Sequence, residues 1–314
     1  MVEPLNLPLN FTNTILEQKI PERIQHFQEQ ISLDDVSLEL AKRRINWCLN
    51  NDSAMRKLPL NRTFPYLDQR PPRVFGVPEN RKESNLLRVI NDIANENSAK
   101  MFGVNSDVVL QRITNPNCNL SFERDNKNVM LNLESDFVTL LQNIKPNIQV
   151  KLPQFEEKNL STNNDLASIH PLSWEAAFES QNFYQEDTKF LIPKDSLIQT
   201  IYLSNNQLRK LKDIDFQGRA IMFCFGYAVQ QAKLLHETDN LEDIHLESPI
   251  NVQCIFSNQD GYRIGSVLFE LNSVKFSDKS NLNRAWILPV NSVLDNLELA
   301  LKNVITLNSN GVHF

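Results

Sequence analysis

Phe216-Gln-Gly-Arg-Ala-Ile-Met-Phe-Cys-Phe-Gly-Tyr-Ala-Val-Gln-Gln-Ala-Lys-Leu-Leu-His236 is apolar on nearly every side at helical spacing. A helix of that kind is buried all round, so the stretch predicts a central core helix over 213–236. Ala220, Cys224, Ala228 and Ala232 recur every four residues with Gly226 beside them, and such a ridge of small side chains lets a helix axis come close to its neighbour. Phe216, Phe223, Phe225 and Tyr227 supply bulk on the other sides.

Downstream, Pro249-Ile-Asn-Val-Gln-Cys-Ile-Phe256 reads as a strand, Asn258-Gln-Asp-Gly261 as a turn, and Tyr262 to Phe276 as a second strand. A short polar gap leads to Asn283-Arg-Ala-Trp286, and Ser292 with Asp295 reads as the cap of a last helix whose stripe is Val293, Leu297, Ala300, Leu301 and Val304. The helix, the hairpin and the terminal strand are expected to share one core.

Upstream the signals are shorter. Residues 1–19 read as irregular, and Pro21 opens a short helix. Ser32 with Asp35 suggests a capping box for a helix that turns Leu38, Ala41, Ile45 and Cys48 to one side. Residues 53–80 hold Pro59, Pro65, Pro71, Pro72 and Pro78, a third of the 15 prolines, and read as an extended arm or long loop. A helix follows with Leu86, Ile90, Ile93 and Ala94 facing inward. Leu120, Phe122, Val129, Leu131 and Leu133 around Asp125-Asn-Lys-Asn128 read as a hairpin. Ile148-Gln-Val150 to Leu152, Phe190-Leu-Ile192 and Thr200-Ile-Tyr-Leu203 suggest further short strands, with the acidic stretch 154–190 between them as surface loop. The fold class is therefore α+β, with mixed or mostly antiparallel sheet pieces packed by helices. The expected organisation is an N-terminal helical region (1–52), a Pro-rich basic arm (53–82) and an α+β body (83–314).

Composition narrows the function. The net charge of -6 over 314 residues, with a pI near 5.5, argues against a polybasic nucleic-acid coat and leaves room for a local basic patch. That patch is Arg56 to Arg88, where Arg56, Lys57, Arg62, Arg70, Arg73, Arg81, Lys82 and Arg88 stand against Asp68, Glu79 and Glu83, with Phe64, Tyr66 and Phe75 interleaved. In an extended arm, Arg can fork onto phosphates and aromatic rings can stack on unpaired bases. The competing reading is a solvated loop pinned to the body by its rings. Only 7 glycines are present, and no GxGxxG, P-loop or G-x-S-x-G string occurs. His236 and His245 stand among acids without ligand spacing, and His170 near Ser173 lacks a nucleophile elbow.

Cys48, Cys118, Cys224 and Cys254 are scattered without a CxxC pair, which predicts buried reduced thiols rather than a metal site. No catalytic residue, cofactor or metal ligand is assigned. The longest apolar run, Ala220 to Val229, is too short to span a bilayer, and no Arg-rich leader precedes Arg23.

The order of Phe225-Gly226, Ala232-Lys-Leu-Leu235, Glu247-Ser-Pro249, Val252-Gln253, the Asp-Gly turn, Leu271-Asn272 and Asn283-Arg-Ala-Trp286 resembles the family of the mitochondrial large-subunit ribosomal protein thirty-seven, whose paralogue is mitochondrial ribosomal protein S-thirty (programmed cell death protein nine). The resemblance is dense from Arg209 to Trp286 and looser upstream, at Ile20-Pro-Glu-Arg23, Trp47, Asn119-Leu-Ser-Phe122, Val129-Met-Leu131 and His170-Pro-Leu172. These strings are structural and carry no chemistry of their own. The resemblance implies a non-catalytic constituent of the mitochondrial large ribosomal subunit in the matrix. Its partners would be large-subunit rRNA and other mitochondrial ribosomal proteins, the S-thirty paralogue above all, with no membrane partner. It also implies a further N-terminal region ahead of Met1, where a mitochondrial address would lie. Two alternatives stand beside it: the S-thirty paralogue itself, and a non-ribosomal small-molecule-binding or enzyme-like α+β domain.

Overall fold

A computed structural model describes residues 6–50, 77, 79–102, 108–114, 116–124, 127–143, 196–204, 212–238, 240–258, 262–275 and 281–309. The elements in chain order are α1 (Asn6–Phe11), β1 (Thr14–Glu17), α2 (Glu22–Gln30), α3 (Asp35–Asn50), α4 (Glu79–Phe102), β2 (Val108–Thr114), β3 (Asn117–Arg124), β4 (Lys127–Glu134), β5 (Phe137–Asn143) and β6 (Ser196–Leu203). They continue with α5 (Asp213–His236), β7 (Ile250–Asn258), β8 (Arg263–Leu271), β9 (Asn283–Ser292) and α6 (Leu297–Ser309).

Seven strands form one sheet in the order β1-β9-β8-β7-β6-β5-β2, and β3 and β4 form a separate hairpin. The β1–β9 and β6–β7 pairs are parallel, and the other pairs are antiparallel. The central strands are buried on both faces, and β6 and β7 are buried along their whole length although Gln199, Thr200, Asn251 and Gln253 interrupt their apolar residues. Ile250, Val252, Cys254 and Phe256 of β7, with Val267, Phe269 and Leu271 of β8 and Ala285 of β9, share a core with α5, Phe11 of α1, and Cys118 and Leu133 of the hairpin. On the opposite face Tyr202, Ile255, Leu268, Trp286 and Leu288 pack under α2, α3, α4 and α6. The molecule is therefore layered, with the sheet between a helix-and-hairpin layer and a four-helix layer.

The α+β class and the central helix stand as expected, and α5 has the bounds the periodicity gave. The small-residue ridge is fully buried at Ala220, Cys224, Ala228 and Ala232. Gly226 meets the hairpin, since a Cβ there would come within 2.3 Å of Leu133 Cδ1. The helix is thus clasped between the sheet and β3–β4. Arg263 and Asn258 both reach Asp213 (2.7 and 2.9 Å), which ties the start of α5 to the β7–β8 hairpin.

Several expectations need correcting. Of residues 1–19, expected to be irregular, those from 6 onward hold α1 and β1. Four residues of mixed polarity carry no strand signal of their own, and β1 forms through main-chain pairing with β9, fixed by the Asn283 amide on Thr12 O (2.9 Å). The cap of α3 is Asp34, whose Oδ1 accepts from Ser37 N at 2.6 Å, and not Ser32. Ser292 accepts from Asp295 N and closes a turn, while α6 begins at Leu297 with Asn296 Oδ1 accepting from Leu299 N. A hydroxyl three residues before an amide makes a local turn as readily as a helix cap. Lys233, whose charge alone would place it in solvent, is half-buried. The suggested strands near 148–152 and 190–192, the loop 154–190 and the Asp-Gly turn lie outside the described residues.

Candidate functional site

Of the basic arm, Arg56, Lys57, Arg62, Arg70 and Arg73, with Phe64, Tyr66 and Phe75, lie outside the described residues. Arg81 and Lys82 stand in the first turn of α4, both half-buried. Cations at a helix N-terminus oppose the macrodipole. Arg88 lies two turns further along, also half-buried.

Buried polar side chains elsewhere tie the layers together. Tyr202 of β6 donates to Asn91 Oδ1 of α4 at 2.6 Å, and Asp136 accepts from the Ser204 hydroxyl at 2.8 Å. Tyr227 of α5 reaches Ser135 (3.1 Å) and Pro116 O (3.3 Å) beside the hairpin. Gln231 accepts from Ile198 N (3.1 Å) and donates to Ser196 O (3.3 Å), and Gln253 donates to Thr200 Oγ1 (2.6 Å). At the β1 end, Arg284 Nε meets Glu17 at 3.0 Å, its Nη1 lies 3.7 Å from the buried Glu270, and its guanidinium sits 4.8 Å from the Trp286 ring centre. These groups satisfy one another across elements, as buried polar atoms must.

The four cysteines are free and buried. Burial pushes the Cys48 and Cys118 thiols up to about 12, and it raises Cys224 well above its ordinary value, with Cys254 beside it adding to the rise. Thiols held neutral in this way are poor nucleophiles and poor metal ligands. Among the described residues no group of three or more His, Cys, Asp or Glu side chains is arranged to hold a metal ion. His26 bonds Gln30 on the exposed face of α2 at 2.9 Å, and His236 and His245 are exposed. A crevice between α3 and α4, lined by Leu40, Arg44, Ile93 and Lys100 among others, has a volume of about 10 Å³, room for one water. No helix among the described residues is long and apolar enough to cross a membrane.

One surface escaped the sequence reading. The inner face of α3 buries Ala41, Ile45, Cys48 and Leu49, yet Val36, Leu40 and Trp47 stand 77, 53 and 67 % exposed on its outer side. Val36, Leu40, Arg43 and Trp47 are spaced 4-3-4, and at about 100° per residue they fall within about 60° of arc. The spacing was visible in the sequence, but it was masked by the stronger inward stripe.

Comparison with protein-family models and with curated proteins gave no match to the chain.

Proposed function

We propose that the chain is a non-catalytic, architectural constituent of the mitochondrial large ribosomal subunit, working in the matrix through contacts with neighbouring ribosomal proteins and with large-subunit rRNA. The observation that carries the reading is where the resemblance motifs fall in the fold. Phe225-Gly226 lies in α5, Val252-Gln253 in β7, Leu271-Asn272 at the end of β8 and Asn283 to Trp286 in β9, with Phe225, Val252, Leu271 and Ala285 in the core beneath α5 and Trp286 in the core on the other face of the sheet. Their polar members act as joints. Asn283 Oδ1 accepts from Asn272 N (2.8 Å) and from Ser273 N (3.0 Å), and its amide nitrogen reaches Thr12 O. Asn272 in turn donates to Glu270 (3.0 Å) and to Leu282 O (3.1 Å). A string of motifs whose residues brace a frame, and whose buried polar groups face one another, suits a scaffold. The basic arm, Arg56 to Lys82, is the segment proposed to meet rRNA, and the S-thirty paralogue is the proposed neighbour.

Sucrose-gradient fractionation of mitochondrial lysate, with mass spectrometry across the fractions, tests the reading. Co-migration of the chain with large-subunit proteins is expected, with release into light fractions as salt disrupts phosphate contacts. Migration only as a free protein would overturn it.

A further inference from the structure

We draw no further inference here: the strongest candidate, the exposed outer face of α3 with Val36, Leu40 and Trp47, carries nothing, because nothing in the structure shows what covers it.

Discussion

Gly265 shows how a single missing side chain fixes the packing of a whole hairpin. It lies directly opposite Phe256 in the β7–β8 ladder, next to the register shift between Ile264 and Ser266 on the β9 side. A Cβ at this position would sit 2.3 Å from Phe256 Cζ, 2.7 Å from its Cε2 and 2.9 Å from Val290 Cγ2. The aromatic ring therefore lies over the glycine, and it stacks in turn on Phe216 of α5 with centroids 5.7 Å apart. Gly265→Ala should destabilise by ~1–3 kcal/mol, because a ring locked on two sides cannot give way. Urea unfolding would measure this. In the Gly265→Ala background, Phe256→Leu should cost less than it does alone, with an interaction energy of about 0.5 kcal/mol or more. Strict additivity would show that the ring is free to move. Gly226 makes the opposite case, since its obstacle is the tip of Leu133, which can rotate away. At this scale the sequence was partly legible. Cysteines in apolar runs read correctly as buried thiols. Gly265 read as nothing more than a strand residue, because its role depends on which ring faces it across the ladder.

At the scale of elements, α5 organises the first layer. Its fourfold ridge is fully buried, and the helix packs on β6, β7, β8 and β9 while the hairpin covers Gly226. Ala228→Phe should cost ~1–3 kcal/mol or more through overpacking. Leu235→Phe, at a half-exposed position near the end of the same helix, should stay within about ±0.5 kcal/mol. Paired denaturant melts compare the two, and equal midpoints would show that the ridge is not a packing surface. The same helix ends on Glu237 in the left-handed region (φ 50°, ψ 32°), with Glu237 N bonding Leu234 O and Thr238 N bonding Lys233 O. Glycine adopts that conformation without a Cβ penalty, so Glu237→Gly should stabilise the protein by ~0.5–1 kcal/mol in a thermal melt. The periodicity of α5 and the runs of β7 and β8 were readable because each is long and buried on all sides. β1 was not, because its four residues gain strand structure from Asn283 to Trp286, which pair with Thr14 to Glu17 from the far end of the chain. The cap at Ser292 misled because a short polar side chain closes turns and helices by the same bond, and the one at Ser32 because Asp34, two residues on, takes that role.

The whole molecule is closed by that same long-range pairing, with β1 parallel to β9 and Arg284 holding Glu17 at 3.0 Å. Its interior also sets a pH response. Burial raises Cys48, Cys118, Cys224 and Tyr227 above their ordinary values. A group whose proton is held more tightly in the folded state contributes stability that is complete below its unfolded pKa and is lost as pH rises toward the folded one. For the cysteines that window opens near 9 and runs to about 12. Unfolding free energy should therefore fall between pH 9 and 10.5, by up to ~1.4 kcal/mol per pH unit for each fully deprotonating thiol. Denaturant melts at pH 7.5 and 10.5 would check the sign, and a flat profile would show that the thiols reach solvent. The architecture was legible as α+β. The seven-strand order was not, because β2, β5 and the parallel β6–β7 contact join segments that carry no sign of one another. The outer stripe of α3 stayed hidden for a related reason, since one helix was reading two faces at once.

The proposal that this frame serves the mitochondrial large subunit is tested most directly by a single-particle electron cryo-microscopy map of that subunit from the cells that make the chain. The account predicts density that fits a seven-stranded sheet of order β1-β9-β8-β7-β6-β5-β2, with α5 on one face and α2, α3, α4 and α6 on the other, and with residues 56–82 against rRNA. A map whose protein density is fully assigned to other chains, with no such sheet, would contradict it.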